Sequence, residues 1–215
     1  MTPNREDYLK IILELGGDTA KVNNKQIVSG LAVSPASVSE MISKLVKESL
    51  VEHSPYQGVQ LTEAGLEKAS MLIRKHRLWE VFLVEHLKYT WNEVHDDAEV
   101  LEHVTSDHLA DRIESYLDHP EHCPHGGIIP KKGSLIHEEK RQTLDTYPVG
   151  TTIRIARVLD EKDLLDYLVV IDVNIDEVYT ITEIAPYEGP VTIKSETKEI
   201  AVSYKAASTI FVDKL

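Results

Sequence analysis

Within its first 62 residues the chain spells three short helices and then a hairpin, and few folds accept that order at those lengths. Residues 4–16 (NREDYLKIILELG) carry Tyr8, Ile11, Ile12 and Leu15 at i, i+3, i+4 and i+7, and Gly16-Gly17 ends the run. Residues 23–32 (NNKQIVSGLA) predict a second short helix with an asparagine N-cap. Ser34 as N-cap and Pro35 at the first helical position open a third, with Val38, Ile42, Leu45 and Val46 as its apolar stripe. Val51-Glu52-His53 and Val59-Gln60-Leu61 read as strands around a Ser-Pro-Tyr-Gln-Gly tip, and Thr62 caps a long helix. This is the pattern of a winged helix-turn-helix, which sets the N-terminus of a helix with small residues into a DNA major groove. The third helix starts with such residues, so Ala36, Ser37 and Ser39 are expected at the groove floor and Ser34 at a phosphate. Lys44 or Lys47 would lie near the DNA backbone, and Tyr56 and Gln57, at the wing tip, would reach phosphate or the minor groove. The competing reading is a helical bundle with a hairpin that binds protein.

Residues 63–88 and 93–117 read as two further helices, broken near Tyr89-Thr90-Trp91-Asn92. A polar loop follows, centred on HPEHCPHGGIIP, and then a charged linker at 137–148. From Gly150 the period changes to two. TIRIARV, YLVVIDV, EVYTITEI, VTIKS, EIAVSY and TIFVD read as short strands, with DEKDLLDYL as a single helical segment between the first two. The expected fold class is α+β, with a small SH3-like β-barrel at the C-terminus. The expected domains are 1–73 (DNA-binding), 74–140 (helical dimerisation and metal binding), a linker at 141–149, and 150–215 (β). No apolar run is long enough to span a membrane, the first residues do not form a signal peptide, and a lone cysteine makes no intrachain disulfide. These features fit a cytoplasmic protein.

Net charge is −13, which by itself argues against nucleic acid. Its placement does not. Residues 1–77 hold 10 Lys/Arg against 9 Asp/Glu, so all the excess acid lies in the remainder, with 13 against 27. A near-neutral segment can meet phosphates while an acidic one takes up cations.

Nine of the ten histidines lie between His76 and His137, interleaved with acids at helical spacing. On a helix at about 100° per residue, His95, Glu99, Glu102 and His103 fall within an arc of roughly 100°, on the shoulder of the apolar stripe Val94, Ala98, Leu101, Leu109, Ile113 and Tyr116. His76 and Glu80 share a face of the preceding helix. With Cys123-Pro124-His125 the chain offers imidazole, carboxylate and thiol from two helices and one loop, the donor mixture of a divalent transition metal. His86, His108, His119, His122 and His137 read as surface residues. There is no His-Glu-x-x-His and no nucleophile or phosphate-cradling motif, so the chain is not expected to be an enzyme.

Nearly the whole chain resembles the diphtheria toxin repressor family of metal-dependent transcriptional repressors, in particular its long manganese-responsive members. The likeness runs through SPASVSEMISKLVKESLVEHSPYQGVQLTEAG, RKHRLWEVFL, EVHDDAEVLEHVTSDHLADRIESYL and CPHGGIIP. The resemblance implies a homodimer, one or two per operator, that binds a palindromic DNA site when loaded with Mn(II) or Fe(II) and represses metal-uptake genes. It implies a regulatory site at Asp7, Glu99, Glu102 and His103. It also implies a second site that includes Glu80, for which Cys123 and His125 compete with His76 and His95, and to which Asp160 is the candidate C-terminal contribution. Lys10 stands where short manganese regulators carry a glutamate, which tells against their closely spaced pair of ions. Oxygen-rich ligands favour Mn(II) at the first site, while a thiolate at the second favours Zn(II) or Cd(II) in vitro. The rival readings are purely structural metal sites and, more distantly, a metal-dependent hydrolase.

Overall fold

The local signals set the N-terminal elements. In the computed structural model α1 spans Pro3–Glu14, α2 Asn24–Leu31 and α3 Pro35–Lys47. Asn23 and Gln26 close a capping box on α2, and the Ser34 hydroxyl accepts from the Ser37 amide at the start of α3. Strands β1 (Val51–Ser54) and β2 (Gly58–Leu61) pair antiparallel, Val51 opposite Leu61, and form the wing. Gly58 sits at φ +120, where a Cβ would meet the Val22 carbonyl oxygen at 2.2 Å, so only glycine closes this hairpin. Tyr8, Leu9, Ile12, Ile27, Val38, Ile42 and Leu45 bury their side chains together with Val51 and Val59. The three helices and the wing thus share one core. Residues 1–136 and 141–215 are described, and they fall into two compact units. His137, read as a surface histidine, lies outside the described residues.

The first unit continues through α4 (Glu63–Leu87) as far as Trp79, then takes up residues 99–119 and 129–136. The Thr62 hydroxyl accepts from the Gly65 amide at 3.1 Å and caps α4. The helix expected over 93–117 is two helices, α5 (Val94–Val104) and α6 (Asp107–Tyr116). The break has a local cause. The Thr105 hydroxyl donates back to the Leu101 carbonyl while accepting from Trp79 Nε1, and Ser106 is extended and caps α6 through the Leu109 amide. The new helix is rotated, so Leu109 and Tyr116 leave the expected buried stripe and are exposed, while Ala110 and Ile113 are buried.

The second unit holds residues 80–98, 120–128 and 141–215. Its sheet has six strands: β3 (Gln142–Thr143), β4 (Thr152–Val158), β5 (Val178–Ile184), β6 (Val191–Lys194), β7 (Glu199–Val202) and β8 (Ile210–Lys214). They are ordered β3-β8-β4-β5-β6-β7, every pair antiparallel. YLVVIDV, expected as a strand, is not one. Its first four residues finish helix α7 (Lys162–Val170), and Asp172 at φ 56 reverses the chain. Leu164, Leu165 and Leu168 supply a helical stripe into the core, and that period overrides the β-branched composition of the run. A short α8 (Tyr204–Ala207) precedes β8. Among the described residues no helix is long and apolar enough to cross a membrane.

Candidate metal centres

Among the described residues, two groups of potential ligands lie each within a single unit. In the first, α5 aligns Glu99, Glu102 and His103 at i, i+3 and i+4, and α1 presents Asp7 to them. One ligand atom from each of the four lies within 4.8 Å of the others. Glu102 has no solvent exposure. His103 Nδ1 lies 2.7 Å from a Glu6 carboxylate oxygen, and its Nε2 lies 2.9 Å from Asp7 Oδ1. Asp7 Oδ1 and Glu102 Oε1 are buried and make no hydrogen bond. Buried carboxylate oxygens gathered without hydrogen bonds of their own suit a shared cation. Burial pushes the Asp7 carboxyl up; Glu99 and Glu102 add to this, while His103 and Lys10 oppose it. Three carboxylates and one imidazole form a hard, oxygen-rich set suited to Mn(II) or Fe(II).

Lys10, one turn after Asp7, is buried against the same helix. Its ammonium donates to Glu99 Oε1 at 2.5 Å and Glu102 Oε2 at 3.0 Å, and lies 3.1 Å from His76 Nδ1. Burial disfavours its charge, but Glu102, Glu14 and Glu99 outweigh that and hold it firmly protonated. The three ligand carboxylates and this ammonium sum to −2, the charge that one divalent cation cancels.

In the second group Glu80, Cys123 and His125 are all buried, with ligand atoms within 4.8 Å of one another. Cys123 and His125 ride on a tight loop closed by Cys123 N to Gly127 O and Gly126 N to Cys123 O. Gly126 lets this loop lie against β4. It sits at φ +80, and a Cβ there would come within 2.1 Å of the Ala156 carbonyl oxygen. The Val158 amide then donates to the His125 carbonyl. His125 Nε2 donates to the Trp91 carbonyl at 2.7 Å, so Nδ1 faces Glu80 Oε1 at 2.8 Å and Asp160 Oδ1 at 3.6 Å. Burial alone would lower the His125 pKa, but Glu80, Cys123 and Asp160 outweigh it and push it up to about 12. A bound cation would replace that proton. Sulfur, nitrogen and oxygen together make a softer set than the first.

Within the second unit Cys123 and His125 gather beside Glu80, and Asp160 Oδ1 lies 3.6 Å from His125 Nδ1. His76 belongs to the first unit, against Lys10 and Glu102. His95 belongs to the second, 3.0 Å from Asp160 Oδ2. Glu6 and Lys10 were not among the expected functional residues. Nothing in the residue order marks Glu6 apart from its place beside Asp7; Lys10 was marked only by its departure from the short regulators.

The expected DNA face is exposed. Ser34, Ala36, Ser37 and Ser39 are exposed at the N-terminal end of α3, and Lys47 is exposed near its C-terminal end. Lys44 forms an i, i+4 ion pair with Glu40 at 2.7 Å. Tyr56 is fully exposed at the wing tip at φ 64, and Gln57 accepts from Lys21 at 2.6 Å.

Comparison with known proteins places these features. Residues 1–59 match the iron dependent repressor N-terminal DNA binding domain, 62–131 the iron dependent repressor metal binding and dimerisation domain, and 142–214 the FeoA domain. The structure of the manganese regulator SloR is 42% identical and superposes with a TM-score of 0.88, covering 100% of both chains. ScaR with bound Zn2+ is 41% identical with a TM-score of 0.88, covering 99% of this chain and 100% of that one. The HTH-type transcriptional regulator MntR of Oceanobacillus iheyensis is 33% identical over 118 residues, 55% of this chain and 80% of that protein. A probable metal transport system membrane protein of Chlamydia trachomatis is 44% identical over 88 residues, where the chain spans only 19% of its length. With a winged helix, a helical metal-binding segment and a FeoA domain matched in series, the chain belongs to the iron- and manganese-dependent repressor family, DNA-binding transcriptional regulators that are not enzymes.

Proposed function

We propose that this protein is a manganese-responsive repressor, with Fe(II) as the second candidate signal, that binds a palindromic operator as a homodimer and controls metal uptake from the cytoplasm. One observation carries the reading. Asp7 lies on α1, in the core of the winged helix, yet it shares a ligand group with Glu99, Glu102 and His103 of α5. Occupied by a divalent ion, these residues would be tied to one point, and the ion would cancel the charge that otherwise drives Asp7 away from Glu99 and Glu102. The recognition helix α3 packs against α1 in the same core, so its position follows that of α1. An apo ensemble of α1 positions would narrow to the one that fits two half-sites.

The dimer contact fits the exposed apolar residues Val100 and Val104 on α5 with Leu109 and Tyr116 on α6. The group at Glu80, Cys123, His125 and Asp160 holds the loop at 120–128 to β4 and α4. Its thiolate explains how a zinc ion, as in ScaR, could be accepted in vitro.

The test is a titration of operator binding by full-length protein against Mn(II), Fe(II) and Zn(II), with a chelator control. The duplex would be one selected from a random pool by the Mn(II)-loaded protein. Affinity should follow Mn(II) concentration and collapse with chelator. Affinity that stays constant while the protein remains folded would leave the metals a purely structural role.

A further inference from the structure

We infer that Arg5 is a positioning residue that carries the state of the metal centre to the recognition helix, through its ion pair with Glu48. The inference rests on the reading of Asp7, Glu99, Glu102 and His103 as the regulatory site. Three consecutive residues near the start of α1 engage three different partners. Asp7 enters the ligand group, Glu6 lies 2.7 Å from His103 Nδ1, and Arg5 Nη1 lies 2.7 Å from Glu48 Oε1. Residues on a helix turn by about 100° each, so Arg5 and Asp7 point to nearly opposite sides of α1. Glu48 is the C-cap of α3, its amide still bonded to the Lys44 carbonyl, so a force on its side chain acts on the end of the recognition helix. One turn of α1 therefore stands between the metal ligands on α5 and the end of α3.

Local helix energetics do not explain the pair. Arg5 is the third residue of α1, a cation at the positive end of that helix, and Glu48 is an anion at the negative end of α3. Each charge is unfavourable for its own helix and is offset by the other. The packing of Val38, Ile42 and Leu45 with Tyr8, Leu9 and Ile12 is apolar and non-directional, so the ion pair fixes how α3 is turned on α1. Leverage makes a small turn matter. Ser34 lies 14 residues before Glu48, about 21 Å along the helix axis, so a tilt of about 5° about Glu48 moves the reading end by about 2 Å. Both side chains are about one-third exposed, so the pair is partly screened; its loss should reduce the metal response by about 2–5-fold and leave the fold intact.

The experiment compares full-length wild type, Arg5→Gln, Glu48→Gln and the exchanged pair Arg5→Glu/Glu48→Arg. Fluorescence anisotropy gives the ratio of operator affinity at saturating Mn(II) to that with chelator, and electron paramagnetic resonance gives Mn(II) binding without DNA. Arg5→Gln loses a positive charge and Glu48→Gln a negative one, so their absolute affinities for DNA should shift in opposite directions. Their ratios should nevertheless both fall, by about 2–5-fold. Mn(II) binding without DNA should stay within about 2-fold of wild type, because neither side chain is a ligand and both are screened by solvent. The exchanged pair, whose charges suit both helix ends, should restore the ratio. A ratio kept by both single variants would overturn the proposal, and so would a ratio that the exchange leaves low. Arg5 acting only as a phosphate contact would lower both affinities and keep the ratio, which also counts against it. Failure of the underlying reading looks different: the wild-type ratio itself would be one, and the proposal would fall with it.

Discussion

Asp7→Asn separates metal sensing from folding. The substitution keeps the size of the side chain and removes one charge from a half-buried carboxyl whose Oδ1 has no hydrogen-bond partner. In the apo protein this charge is unfavourable, because burial and the neighbouring Glu99 and Glu102 all raise the Asp7 pKa. Apo Asp7→Asn should therefore melt at or above the temperature of wild type at neutral pH. With a dication bound, the ligand set plus Lys10 moves from neutral to +1, and one of four ligands is lost. Outer-shell losses alone cost about 10–100-fold in metal affinity, so this inner-shell loss should cost at least about 100-fold. If metal normally improves operator affinity about 100-fold, the coupling at stake is about 2.7 kcal/mol. The assay is operator binding by fluorescence anisotropy at fixed Mn(II), alongside thermal melts of the apo protein. Asp7→Asn should bind like the apo wild type. Full Mn(II)-dependent binding by the variant would refute the linkage, and a lower apo melting temperature would refute the electrostatic account of the site.

Three further outcomes follow from the geometry. Glu6→Gln removes the carboxylate that accepts the His103 Nδ1 proton without removing a ligand, and should weaken Mn(II) binding by about 10–100-fold in isothermal titration. Cys123→Ser should abolish the near-ultraviolet sulfur-to-metal absorption of the Co(II) protein and weaken Zn(II) binding more than Mn(II)-activated operator binding; identical spectra would place the thiol outside the second group. Lys47→Gln should lower the slope of log affinity against log salt by about 0.9 if that side chain meets a phosphate. Lys44→Gln should lower it less, because Glu40 already pairs with Lys44 at 2.7 Å; equal slopes for wild type and Lys47→Gln would turn that face away from DNA.

The winged helix could be read residue by residue because its signals are local. Asn23, Ser34 and Thr62 start helices by hydrogen bonds that span three residues, Pro35 by its fixed φ, and the structure uses all four. The break at Thr105-Ser106 is equally local, but it was hidden because an apolar period over 94–117 can be drawn straight through it. A hydroxyl that bonds back to Leu101 and a serine cap are weak against six apolar residues in apparent register. The strand expected at YLVVIDV failed in the opposite direction: Val169, Val170 and Ile171 favour strand by composition, while Leu164, Leu165 and Leu168 bury a helical stripe. Tertiary burial decided between two local preferences of similar strength.

Metal centres divide along the same line. Glu99, Glu102 and His103 share one helical face, so spacing alone exposes them. Asp7 is 92 positions before Glu99, and Asp160 is 35 after His125; no periodicity connects them, and only the family resemblance brought them forward. Glu6 and Lys10 show what a resemblance does not convey. A ligand pattern transfers as residue identities, but the charge balance of the site depends on groups that are not ligands. Lys10, on α1, sets a fixed positive charge against Glu99 and Glu102. Its ammonium offsets part of the ligand charge from within contact distance, because buried charge must be balanced within a few ångströms.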